Sequence, residues 1–153
     1  MTMFHPDQPV VSEQVLPIVV GAHLRAELGD RKRANQVREA IIGWMSSNDI
    51  EGPPWPIVCS DLWYMNQVEL RVQPTICIGH PEINATTAAF STRLPTAMLV
   101  DDSYRIQLDP EYVDRICCMW GVDDAHSQLA VEAFIADFLP ELMGSIFGNR
   151  VEK

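Results

Sequence analysis

Thr75-Ile76-Cys77-Ile78-Gly79-His80-Pro81-Glu82-Ile83-Asn84 joins an unbroken apolar run to a tight turn and a helix-capping residue. An apolar run without alternation is the pattern of a strand buried on both faces, as in a sheet layered by helices. Gly79 and Pro81 supply the turn, and Asn84 offers a side-chain acceptor to the free N–H groups of a helix start. Ile83, Thr87, Phe90 and Leu94 then fall along one side of a helix reaching about Leu94. Such a strand–turn–helix unit is the element of α/β folds, where parallel neighbours require a crossover.

On its N-terminal side, Val15-Leu-Pro-Ile-Val-Val-Gly-Ala22 reads as a first strand, with Pro17 near its start. From Asp30 as N-cap, Ala34, Val37, Ala40, Ile41, Trp44 and Met45 recur at helical spacing. The Arg31-Lys32-Arg33 run opposes the helix dipole in the first turn and reads as a solvated face. Gly52-Pro53-Pro54 marks a loop, Trp55 to Ser60 a second strand, and Asn66 to Gln73 two helical turns before Pro74. On the C-terminal side, Ala97–Val100 and Tyr104–Leu108 flank the polar Asp101-Asp102-Ser103, predicting an antiparallel hairpin. Arg115 to Trp120 is the last strand, followed by a helix from Asp124 to about Leu139 that Pro140 ends or bends. The expected fold is α/β: a three-layer, mostly parallel mixed sheet flanked by helices, Rossmann-like or flavodoxin-like, with one β-hairpin. Residues 1–14 read as a surface arm and 15–153 as a single α/β domain.

With 47% hydrophobic and 21% charged residues, the 153-residue chain has the composition of one globular core. Its net charge of −10, mostly in residues 54–153, opposes the phosphate neutralisation that nucleic-acid binding requires. No apolar run approaches the ~20 residues of a membrane span, so the expectation is a cytoplasmic protein without membrane contact. Cys59, Cys77, Cys117 and Cys118 form no C-x-x-C pair and lie in strand-like segments, as buried thiols would. Neighbours in a strand face opposite ways, so Cys117 and Cys118 are not expected to bond each other.

In open α/β sheets ligands bind beyond the carboxyl ends of the parallel strands. That rule selects His23, Ser60, Asp61, Gly79, His80, Asn84, Gly121 and Asp123 as ligand-binding candidates. Gly79-His80-Pro81-Glu82 is neither a Walker loop nor G-x-G-x-x-G, and Glu82, Asp123 and Asp124 would repel a phosphate. His23, Asp61, His80, Asp123 and His126 are of metal-ligating type but come from separate loops, and no metal is expected. Ser60 lacks the G-x-S-x-G elbow. Trp55, Trp63, Tyr64 and Trp120 could stack on a ring or pack in the core.

Thr75 to Leu94 with its Gly-x-Pro-x-x-Asn segment, together with Trp120-Gly-x-Asp, resembles an uncharacterised bacterial α/β family of unknown function. The same segment is similar to Gly-Gly-Pro-x-x-Asn in some surface-layer and cell-wall-associated domains, with His80 in place of the second glycine. The resemblance covers about a third of the chain; it implies a fold and no catalytic residue. The leading expectation is a domain binding a small ligand at the sheet's C-terminal edge, with the cofactor unassigned. Two alternatives stay open: a small enzyme using His and Asp residues of that edge, and a non-catalytic oligomeric or partner-binding subunit. For the last, a homodimer would use the final helix and Met143 to Phe147.

Overall fold

Six strands form one sheet: β1 (Val15–Val20), β2 (Trp55–Ser60), β3 (Thr75–Ile78), β4 (Thr96–Val100), β5 (Tyr104–Leu108) and β6 (Ile116–Gly121). The computed structural model describes residues 11–151, so residues 1–10 of the predicted arm at 1–14 lie outside the described residues, and Ser12–Gln14 form a 3₁₀ turn. The strand order is β2-β1-β3-β6-β5-β4. The pairs β1–β2, β1–β3 and β3–β6 are parallel, whereas β6–β5 and β5–β4 are antiparallel. The sheet is therefore mixed and not mostly parallel. Pairing of the hairpin's second strand, β5, with β6 adds a second antiparallel contact, which the local turn signal at Asp101-Asp102-Ser103 did not encode.

β3 owes its uniform apolarity to its place between β1 and β6, with helices on both faces. On one face Leu16, Ile18, Ile76, Ile78, Cys117 and Met119 pack against α1 (Arg31–Ser47), α4 (Asp124–Asp137) and α5 (Leu139–Val151). On the other, Val19, Cys59, Cys77 and Cys118 meet Tyr64 of α2 (Asp61–Met65), Leu70, and Phe90 of α3 (Ala85–Phe90). Cys117 and Cys118 thus enter different cores, as strand alternation requires, and all four thiols are buried and free. Burial pushes the Cys59 thiol up to about 12. Pro17 falls where β1 has a neighbour on one side only, since β3 joins from Ile18 onward.

Three local expectations are corrected. The first helix starts at Leu24, and a π-helical turn over Ala26–Asp30 leads into α1. Asp30 is consequently helical and caps nothing; its carboxylate accepts from Arg33 Nη2 at 2.7 Å. The wide π turn rotates the following residues relative to a regular helix, and Arg33 is 6% exposed instead of solvated. Asp61 opens α2, and of the two helical turns expected at 66–73 only a 3₁₀ turn over Val68–Val72 forms. Past Asp137 the chain restarts as α5 with Pro140 in the first turn, where a missing N–H loses no bond. Met143 and Phe147 are buried in the same core as Phe134, so the apolar tail packs intramolecularly. No helix among the described residues is long and apolar enough to cross a membrane.

Candidate functional site

Because β2, β1, β3 and β6 are parallel neighbours, their carboxyl ends share one edge. The crossing point is between β1 and β3, where the chain winds first to one side and then to the other. Here the crevice is closed by the protein itself. Asp61, 4% exposed, accepts the Ala22 N–H at 2.9 Å on Oδ1 and the Ala85 N–H at 2.7 Å on Oδ2. It ties the end of β1 to the start of α3. Asn84 is fully buried; Nδ2 donates to the Val19 and Ile78 carbonyls, both at 3.0 Å, and Oδ1 accepts from Thr86 and Thr87 N–H. All of its bonding capacity points into the fold. Gly21 permits this closure, since a Cβ there would run into the Ile83 carbonyl oxygen.

The remaining candidates of this end are local turn-formers. Ser60 Oγ accepts the Trp63 N–H at 3.1 Å and caps α2. His23 Nδ1 accepts the Arg25 N–H at 3.0 Å. Gly79 has φ +131° and faces the Asp30 carboxylate, leaving no room for a side chain. Arg33 links that carboxylate to Asp124 at 2.8 Å. Burial outweighs the Arg33 guanidinium at Asp30 and raises its carboxyl above the ordinary Asp range. Asp123 caps α4 by accepting the His126 N–H at 2.9 Å, and its Oδ1 also meets His126 Nδ1 at 2.7 Å. The backbone N–H contributes most to holding this carboxyl below the usual range.

His80 and Gly121 belong to a different place. With Leu99, Val100, Asp102, Ser103, Tyr104, Arg105, Trp120 and Val122 they line an open groove of about 450 Å³ on the β6-β5-β4 side. The register explains its floor: Leu99 pairs with Arg105, and Arg105 with Trp120, so the three side chains form a row across adjacent strands. The row lies on the face of Cys118, two residues before Trp120. Two residues further along β5, Gln107 Nε2 donates to the Ser91 and Leu94 carbonyls at 3.1 Å each. The turn after α3 thus covers the sheet at Gln107, while Arg105 and Trp120, beyond it, stay half-buried at the groove.

In the groove the Arg105 guanidinium lies 5.7 Å from the centre of the Trp120 ring. The His80 ring stands edge-on to Trp120 at 6.1 Å and 71°. His80 Nδ1 accepts the Glu82 N–H at 3.0 Å, which selects the tautomer carrying its proton on Nε2. Tyr64, by contrast, is core: its hydroxyl bonds Thr75 Oγ1 at 2.9 Å, and burial pushes it up to about 12. No group of three or more His, Cys, Asp or Glu among the described residues is arranged to hold a metal ion.

Leu99 and Arg105 were not singled out from the sequence. Their signal was present in the hairpin: a three-residue turn at 101–103 sets Val100 opposite Tyr104 and therefore Leu99 opposite Arg105, away from Ile106 and the core. No protein-family model, curated protein or solved structure matches the chain.

Proposed function

We propose that the chain is a small-molecule-binding domain whose site is the uncovered sheet face at β4, β5 and β6. The observation that carries this is the groove itself, an aromatic-floored concavity in the volume range of small-ligand sites, about 300–1,000 Å³, with a guanidinium and an imidazole at its walls. The order β2-β1-β3-β6 supports a flavodoxin-like winding, onto which the hairpin adds the two strands that extend the floor. Four reduced, buried thiols support a cytoplasmic setting. In this reading Gly121 and His80 contribute directly, while Asp61, Asn84 and Ser60 hold the scaffold. The test is a fragment titration followed by two-dimensional amide NMR on the wild type and on Val122→Trp, which fills the groove. Saturable shifts at Trp120, Arg105 and Val122 that vanish in the filled variant are expected; shifts clustered at Ala22 and Ala85 instead would move the site to the β1–β3 crevice.

A second reading, an oligomeric subunit, has one observation in its favour. Edge strand β4 carries no charge or proline, and Thr96, Ala97, Leu99 and Val100 are exposed along it. The register shift between Thr96 and Met98 opposes continuous pairing with a second copy. Native mass spectrometry separates the two: a monomer retaining a ligand supports the groove, and a dimer broken by Leu99→Lys supports the edge.

A further inference from the structure

We infer that the groove takes a small, flat, singly charged anion, an aromatic or heteroaromatic carboxylate of one or two rings; this rests on the groove being a binding site. Arg105 carries the inference. Arg31, Arg33, Arg38 and Arg93 each meet a carboxylate; among the described residues Arg105, like the exposed Arg25 and Arg115, makes no side-chain hydrogen bond or ion pair, but it alone of those three is half-buried and lines the groove, beside the Trp120 indole. In a chain of net charge −10, a guanidinium held in a concave surface without an acidic partner is a site with its counter-charge missing. The fork of N–H donors matches a carboxylate in a bidentate fashion, and the 5.7 Å indole contact is weak enough to shift when one arrives.

The walls decide the rest of the molecule. Leu99, 54% exposed, and the indole of Trp120 flank Arg105 in the same row, so a planar ring attached to the carboxylate has apolar surface on either side. His80 retains Nε2–H as a second donor. Asp102 is also in the lining, and no second Lys or Arg is. One cation beside one carboxylate suits a monoanion and disfavours a dianionic phosphate, whose recognition calls for several donors. The space of about 450 Å³ admits one or two fused rings.

The experiment uses a matched pair of probes, indole-3-carboxylate and indole-3-carboxamide, titrated into the full chain with the Trp120 indole N–H resonance as readout, assigned by its loss in Trp120→Phe. The expected result is a saturable shift with the carboxylate, with Kd on the order of 0.1–1 mM for so few atoms in an open site, and at least about tenfold weaker binding of the carboxamide. Arg105→Gln removes that preference, and Arg105→Lys restores part of it. Equal affinity for the two probes, or an Arg105→Gln variant that still prefers the carboxylate, overturns the anion assignment while leaving the groove as a site. Absence of any groove shift with both probes and with neutral aromatic fragments overturns the groove reading too. Amide dispersion in the same spectra reports whether each variant is folded.

Discussion

The carboxyl edge of the sheet has two ends that look alike in sequence and differ in what their polar groups do. At the β1–β3 crossing, Asp61 and Asn84 are inaccessible and each polar atom is bonded to backbone. At the β6-β5-β4 end, Arg105 has an unmatched charge and His80 a remaining ring donor above an uncovered floor. The difference teaches that residue type at a strand end does not by itself identify a site; whether its bonding capacity is already spent within the fold must be read as well. A doubly wound sheet normally keeps its crossing open for ligand. Here the closure of Ile83 over Gly21 fills it, and the open groove lies at the far side, on the hairpin strands.

The largest effect should come from breaking the sealed end. Asn84→Ala removes a cap and leaves the Val19 and Ile78 carbonyls without their amide donor, at an expected loss of about 3–4 kcal/mol in urea unfolding. Asp61→Asn keeps the shape but points an N–H₂ at one of two backbone N–H donors, and should cost about 2–3 kcal/mol. A loss below about 0.5 kcal/mol for either would mean that the crevice is less tightly closed than the hydrogen bonds indicate.

Substitutions at the open end should do the reverse. Arg105→Gln and Leu99→Ser, on a surface without buried partners, are expected to change stability by no more than about 1 kcal/mol while the first alters which ligands shift Trp120. If Arg105→Gln instead destabilises as strongly as Asp61→Asn, the guanidinium is a structural element and the contrast between the two ends disappears.

Much of this was legible in the chain. The β3 run, the Asn84 cap, the hairpin about residues 101–103 and the opposite facing of Cys117 and Cys118 follow from local periodicity and capping chemistry. What escaped was non-local. Nothing near Asp30 signals that a π turn will carry Arg33 inward to Asp124, ninety-one residues away. Nor does the sequence around Arg105 say that α3 will stop at Phe90 and leave Arg105 and Trp120 only half-buried. His80, Gly121, Asp61 and Ser60 were all named because strand ends are readable; which of them line the groove and which bond the scaffold is set by non-local packing.

The smallest effect is in the acid limb, and it sharpens the comparison by sign. Asp123, exposed at the start of α4, has its carboxyl lowered by the His126 N–H and then by the His126 ring. A depressed carboxyl contributes stability above the unfolded-state value near 3.9, and loses it as pH falls through the lower folded value. Asp30 at the sealed end is raised by burial, so its contribution is present below about 3.9 and is lost as pH rises through the folded value. Urea unfolding from pH 2 to 7 should therefore show Asp123→Asn losing ground to the wild type as pH rises through the lower part of that range. Asp30→Asn should gain ground as pH rises from about 3.9 upward, whatever its offset from loss of the Arg33 pair. Parallel pH profiles for the two variants would mean that burial does not dominate at Asp30, and that its buried position tolerates charge as easily as the exposed start of α4.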